Sequence, residues 1–217
     1  VAEAQNVIVQ QVIQDPGWEF LALIEDDVMA PPNTMTRWAQ WIKHGVYPVV
    51  SGLYNLKADP PEPMTFRGRG TGSWEGWKKG PGEEEKSADL PPGIKPEEVA
   101  FCDGIPTGLF LISAKLLRVA WENSPEILLR QERVDGTIAE LRCREVFRTL
   151  REAGLDPAGN GYWARYATSD LDFCDRAMAG DWFAKAGYEK AGKLKYPFPV
   201  DLMIRAAHID LESGRMF

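Results

Sequence analysis

Three consecutive acids, Glu25, Asp26 and Asp27, close the apolar run "FLALI", and Pro31-Pro32 follow a few residues later. Side chains alternate along a strand, so Glu25 and Asp27 leave its end on one face and Asp26 on the other. Carboxylates this close repel one another unless a cation or hydrogen-bond donors neutralise them, which makes a divalent metal the natural partner. The same acids also read as a strand terminator that caps the next segment, since acidic clusters are common in turns. Far along the chain, His208 ends the apolar run "LMIRAAH". Alone it reads as a hydrogen-bonded structural residue. Together with the acids it makes an imidazole and carboxylate set suited to Mn²⁺ or Mg²⁺ bound with phosphate oxygens. A third group lies in "SDLDFCDR", where Asp170 and Asp172 open a helical pattern whose dipole favours acids. Asp170 follows a loop rich in Gly and aromatics and is placed for a general base, while Asp172 reads more simply as a helix acid. Trp163, in that loop, is either a stacking surface for a sugar ring or a hydrophobic anchor. His44 reads as an ordinary partner for a helix C-terminus.

The elements that must position these groups follow from periodicity. "EAQNVIVQQVIQ" spaces Val7, Ile8, Val12 and Ile13 as a helix ended by "DPG", and Trp18 to Ile24 is a short apolar run that fits a strand covered on both faces. "TMTRWAQWIKHG" reads as a helix ended by Gly45, and "YPVVSGLYNL" as the next strand, so strand, helix and strand form a βαβ unit. A strand near Ala100 and another at 109–112 lead into a helix. The spacing predicts a helix over 138–153, a loop over 153–170, a helix from Asp170, and a final strand ending at His208. Residues 57–98 form a Pro/Gly-rich insert; loops of that length inside compact domains are usually functional or disordered. Phe66, Trp74 and Trp77 argue for partial order, and "GEEEK" reads as a solvated face.

Composition narrows the function. The 217 residues, 44% hydrophobic, suffice for a single domain over 1–217 with one substantial core. A formal net charge of −7 disfavours nucleic acid or an anionic membrane as a general partner. Cys102, Cys143 and Cys174 have no metal-site spacing and read as reduced thiols, and no apolar stretch is long enough for a membrane helix, so a cytoplasmic address is expected.

The apolar strand into "EDDV" and "PP", then "SGLY", "DGIPTGLFLISAKLL", "SDLDFCDRA" and a late "HID" resemble, in order and approximate spacing, the family 2 group of GT-A-fold glycosyltransferases. The resemblance covers roughly residues 3 to 210 without the insert. It implies a GT-A-like, Rossmann-like α/β fold with a mixed, mostly parallel sheet flanked by helices. It also implies a metal-dependent glycosyltransferase, inverting, that moves a sugar from a nucleotide-diphosphate sugar to an acceptor hydroxyl on a glycan, a lipid-linked group or another molecule. Glu25-Asp26-Asp27 would be its DxD motif, with Asp27 the direct ligand of Mn²⁺ or Mg²⁺, Glu25 reaching the ribose or the metal shell, and His208 completing the metal site. Asp170 would be the catalytic base. Pro106, Thr107 and Gly108 would line the donor and acceptor side, and Asp26 and Asp172 would join the substrate-binding residues.

Departures from that pattern are Glu25 for the usual Asp, Ser169 for the acid before Asp170, and Gln5 for a basic residue. The sequence also shows no nucleotide-gripping βαβ segment ahead of residue 3. Its absence would leave a sheet edge open to a second copy or a partner chain. Two other readings stay open: an inactive glycosyltransferase-like binding or assembly module, and a metal-dependent nucleotidyltransferase or phosphohydrolase. In the insert, Arg67, Arg69, Lys78 and Lys79 are candidates for reading the acceptor.

Overall fold

A computed structural model describes residues 2–55, 57, 59, 62–68, 83–132, 135–155 and 162–217, without the side chains of 83, 84, 131, 132, 152, 153, 155 and 162–166. The order of elements is α1 (Ala2–Gln14), β1 (Phe20–Ile24), β2 (Val28–Met29), α2 (Thr34–His44), β3 (Val49–Leu53), α3 (Glu83–Ser87), β4 (Val99–Cys102), β5 (Leu109–Ser113) and α4 (Ala114–Glu122). There follow β6 (Glu126–Glu132), β7 (Ile138–Arg144), β8 (Leu150–Leu155), β9 (Tyr162–Ala167), α5 (Ser169–Ala179), α6 (Trp182–Lys185), α7 (Glu189–Gly192), β10 (Phe198–Arg205) and β11 (Ala207–His208). The fold is mixed α/β. Its central five-stranded sheet has the order β1-β5-β3-β10-β4.

The sheet corrects the expectation of mostly parallel strands. β1 with β5, β5 with β3, and β10 with β4 are antiparallel, and β3 with β10 is parallel. β1 and β3 run the same way with β5 threaded between them, so the expected β1-α2-β3 unit exists in split form. Nor is β1 covered on both faces: it is an edge strand, and Ile24 is 42% exposed. A short apolar run cannot by itself tell a central strand from an edge strand. The fully covered strands are β4 and β5, with every residue buried. Beside the β1 edge, Ile8, Val12, Trp18 and Ala22 line an apolar cleft of about 440 Å³.

The helices cover the sheet through sequence-specific contacts. α1 buries Gln5, Asn6, Val9 and Val12, one step round from the predicted face, and leaves Ile8 exposed. The Asn6 side chain mimics a backbone pair: its Nδ2 donates to the Phe147 carbonyl (2.8 Å) and its Oδ1 accepts from the Phe147 N–H (2.7 Å). The Phe147 ring then stacks on Phe173 of α5 at 5.0 Å, so one buried asparagine fixes the wall between α1 and α5. Truncating such a fully buried phenylalanine costs about 3–5 kcal/mol. α2 buries Trp38 and Trp41 and stops at Gly45, whose φ of 71° closes a cap bond to the Trp41 carbonyl.

The region predicted as a helix over 138–153 and the loop after it are instead two hairpin ribbons, β6 with β7 and β8 with β9. Glu, Leu and Arg favour a helix locally, but cross-strand pairing with residues 126–132 and 162–167 decides the outcome. In the insert, Phe66 supplies the expected order: its N–H donates to the Gly104 carbonyl (2.9 Å), and its own carbonyl accepts from Asp103 N–H (3.0 Å). Arg67 is absorbed internally by Glu85, the Phe101 carbonyl and the Tyr196 ring. Glu85, predicted to be solvated, is 2% exposed. Trp74, Trp77, Arg69, Lys78 and Lys79 lie outside the described residues. All three cysteines are free and buried. Among the described residues, no helix is long and apolar enough to cross a membrane.

Candidate functional site

The three acids sit in a turn and not on a continuing strand. Glu25 N–H donates to the Gly108 carbonyl (2.8 Å), extending the β1–β5 ladder by one bond, and Val28 N–H donates to the Glu25 carbonyl (3.1 Å), closing a turn over Asp26 and Asp27. The turn leaves Asp26 exposed and half-buries Glu25 and Asp27. After it, β2 pairs with β11, setting His208 opposite Val28, and Ile209 N–H donates to the Asp27 carbonyl (2.7 Å). β10 reaches this position because its register against β3 breaks between Asp201 and Arg205, after which Ala206 N–H returns to the Leu53 carbonyl (2.8 Å). Such a bulge re-aims a strand. Here it carries the chain off the main sheet and onto β2.

His208 and Asp27 thereby meet, with Nε2 3.2 Å from Asp27 Oδ2. His208 Nδ1 lies 2.9 Å from the Asn55 carbonyl, which can only accept, so Nδ1 carries a proton. Nε2 then faces the carboxylate either as the second N–H of an imidazolium or as a lone pair with a cation between them. A backbone carbonyl on the far nitrogen is the usual device for orienting a metal-binding imidazole. Lys57 Nζ approaches the same Asp27 oxygen at 2.7 Å. Partial burial pushes the Asp27 carboxyl up, but the bonds and charges of Lys57 and His208 outweigh it and hold the group below its ordinary value.

Glu25 sits on the other side of the turn against Gly108. A Cβ on Gly108 would come within 2.3 Å of the Tyr54 hydroxyl and 2.7 Å of Glu25 Oε2. Tyr54 is 3% exposed, accepts the Gly108 N–H (3.0 Å) and meets the His208 ring edge-on at 5.5 Å. Burial, then the charges of Asp27 and Asp170, push Glu25 upward, with His208 opposing. Burial, then Glu25 and Asp170, push the Tyr54 hydroxyl well above its ordinary value, so it stays protonated.

Asp170 opens α5 at 9% exposure, and one of its carboxylate oxygens accepts the Leu171 N–H (2.9 Å). The fields that Asp170 exerts on Glu25 and Tyr54 place it within electrostatic reach of both. Gln5 ties its surroundings together: Nε2 donates to Thr107 Oγ1 (2.9 Å), and Oε1 faces Ser169 Oγ at 3.5 Å. Pro106, Thr107 and Gly108 are buried, and Gly108 packs directly against Glu25.

Asp172 faces elsewhere. Its carboxylate, 1% exposed, is gripped by Arg148 (Nη2 at 2.9 Å) and by Arg176 (Nε at 2.7 Å), so the substrate-binding expectation for Asp172 gives way to that of a buried ion-pair centre. Trp163 pairs with Gly154 in β9, and its side chain lies outside the described ones. Tyr54, Lys57 and Gln5 were not singled out as site residues. Tyr54 and Lys57 flank Asn55 just after β3, and the closeness of that segment to the end of a strand was the available signal.

As a metal site, the residues offer two donors with a separation that two ligands of one ion adopt, and a correctly oriented imidazole. Among the described residues no group of three or more His, Cys, Asp or Glu is placed to hold an ion, so Glu25 is not assembled with Asp27 and His208 into a three-donor set. Further coordination would have to come from a ligand such as a diphosphate.

Neither a protein-family model nor a curated protein matches the sequence. Among solved structures, the chain is similar to the crystal structure of A197 from STIV, at 13% identity and a TM-score of 0.47, over 100% of this chain and 74% of that one. The functional reading therefore stands on the site's own geometry.

Proposed function

We propose that this protein is a glycosyltransferase of the GT-A type that uses a nucleotide-diphosphate sugar and a divalent cation. The observation that carries the reading is the Asp27–His208 pair at 3.2 Å with the imidazole oriented by Asn55, both within electrostatic reach of Glu25, on which Asp170 also acts. A cation held there would supply Lewis-acid neutralisation of the departing diphosphate. Asp27 and His208 would hold that cation and, through it, the charged end of the donor. Asp170 takes the proton of the acceptor hydroxyl as its oxygen forms a bond to the anomeric carbon, and the bond from that carbon to the diphosphate breaks with its electron pair leaving on the phosphate oxygen. The Tyr54 hydroxyl, held protonated, leaves the negative charge of the cluster to the carboxylates. Donor sugar and acceptor class belong to the same proposal: a hexose donor, and a glycan, lipid-linked or other hydroxyl acceptor.

One observation favours a second reading, that of a binding-only module: Lys57 already neutralises Asp27. The two readings separate in one experiment. Calorimetric titration with UDP, GDP, CDP and dTDP, each with and without Mn²⁺, should give metal-dependent binding of one nucleotide that Asp27→Ala abolishes. Asp170→Asn should keep that binding and lose transfer. Binding without transfer by the unaltered protein, over a panel of glycan and lipid-linked acceptors, selects the binding module; no binding of any nucleotide removes the transferase reading.

A further inference from the structure

The transferase reading gives Lys57 no part, yet its ammonium makes the shorter of two contacts to the carboxylate oxygen on which that reading depends. Nζ lies 2.7 Å from Asp27 Oδ2, the oxygen that faces His208 Nε2 at 3.2 Å. A carboxylate oxygen offers about two acceptor directions, and these neighbours take both. A neutral imidazole has a ring-nitrogen lone pair with which to share a cation with Asp27. A protonated lysine has three donors and no lone pair to share. A divalent ion that shares Asp27 Oδ2 with His208 must therefore displace Lys57 and can keep His208.

The surroundings let Lys57 move without unravelling the site. Two positions away on each side the chain has partners: Asn55 bridges to Pro63 and holds His208 Nδ1 at 2.9 Å, and Asp59 pairs with Arg215 at 3.2 Å. The Lys57 side chain is 33% exposed, with a flexible four-carbon stem and a compact, strongly hydrated charge. Displaced by a cation alone, that charge would stand beside a second positive group. Displaced by a cation that arrives with an anion, it gains a new partner.

We propose that Lys57 is an internal counter-ion of Asp27, holding the carboxylate when no divalent ion is bound and passing its ammonium to the phosphate oxygens of an arriving diphosphate. The inference rests on the reading of Asp27 and His208 as a metal-binding pair. It makes metal and diphosphate binding cooperative, each raising the affinity for the other by the same factor.

The test is Mn²⁺ binding followed by electron paramagnetic resonance of the free ion, first without any anion and then with inorganic pyrophosphate, the complex of the two in solution being subtracted from a protein-free titration. The proteins are the unaltered chain, Lys57→Met, Lys57→Gln, Asp27→Ala and Lys190→Met. The last removes the same charge from an exposed pair with Asp89 (2.9 Å), away from the site. Loss of a partly exposed, charge-assisted competitor should tighten Mn²⁺ alone about three- to tenfold in Lys57→Met. Lys57→Gln, which keeps a donor without the charge, should move the same way, and Lys190→Met should not move. Pyrophosphate should tighten Mn²⁺ several-fold in the unaltered chain and clearly less in Lys57→Met. Binding by Lys57→Met and not by the unaltered chain would support the proposal further. Asp27-dependent Mn²⁺ binding that Lys57→Met leaves unchanged or weakens would overturn the role of Lys57 and leave the transferase reading intact. No Mn²⁺ binding by any of these proteins would overturn both.

Discussion

Gly108→Ala tests the packing that holds Glu25 and Tyr54 in place. The added methyl carbon would lie 2.3 Å from the Tyr54 hydroxyl oxygen, 2.7 Å from Glu25 Oε2 and 2.8 Å from Tyr54 Cζ, all inside the closest approach a real Cβ tolerates. Tyr54 cannot simply withdraw, because it is 3% exposed and its ring packs edge-on against His208 at 5.5 Å. Overpacking at such a site costs about 1–3 kcal/mol, and loss of the hydrogen bond from Gly108 N–H to the tyrosine adds about 0.5–1.5 kcal/mol. For a chain of this size the sum corresponds to a fall in melting temperature of roughly 5–15 °C. Thermal unfolding by circular dichroism measures it, and a double-mutant cycle with Tyr54→Phe assigns the cause. Removing the hydroxyl takes away the worst contact, so the double variant should be more stable than the sum of the single effects predicts, by about 1 kcal/mol or more. If Gly108→Ala melts within a degree or two of the unaltered protein, or if the cycle is additive, the close approach of the tyrosine is not what requires glycine here.

Asp172→Asn should destabilise by about 2–4 kcal/mol, because Arg148 and Arg176 lose a buried partner, while metal-dependent nucleotide affinity of the folded protein stays the same. Lost affinity with unchanged melting would restore a ligand-binding role for Asp172. Glu25→Gln should raise the melting temperature at neutral pH. The Glu25 pKa is raised in the folded state by burial and by the charges of Asp27 and Asp170, so the folded state holds its proton more tightly than the unfolded chain. Its favourable contribution is present below the unfolded value of about 4.5 and is lost as pH rises through the folded value. The gain in Glu25→Gln, roughly 1–3 °C for a half-exposed group, should therefore be seen at pH 7.5 and vanish near pH 4, and a gain that persists at pH 4 would contradict the carboxylate repulsion.

What the sequence could reveal of this fold depended on how local the deciding interaction is. α2 is legible because its start, its apolar spacing and Gly45 all act within one helix. The ribbons β6–β7 and β8–β9 were not, since each residue's preference was overruled by a partner strand several residues away. The parallel or antiparallel sense of the sheet was hidden for the same reason. β5 enters between β1 and β3 from more than fifty residues further along, and no period in "FLALI" or "VVSGL" announces it. Glu85 shows the limit of composition as a guide: three glutamates in a row read as solvated, yet one of them turns inward to Arg67 and to the Phe101 N–H (3.0 Å).

The candidate site divides along a related line. Glu25, Asp27 and His208 could be picked out because they end apolar segments, and Asp170 because it opens a helix after a Gly- and aromatic-rich loop. The residues that hold them could not, because they are ordinary in type and act through neutral hydrogen bonds, several of them to backbone. Gln5 reaches Thr107 (2.9 Å), Tyr54 accepts from Gly108 (3.0 Å) and the Asn55 carbonyl fixes His208 (2.9 Å). None of these bonds depends on the charge of the acids. That separation has a physical consequence. Burial, then the charges of Asp27 and Asp170, push Glu25 upward, and of these carboxylates the Lys57 and His208 contacts reach only Asp27. A scaffold of neutral bonds keeps the carboxylates close at some cost in stability, and a cation entering with its anion can recover that cost as binding energy.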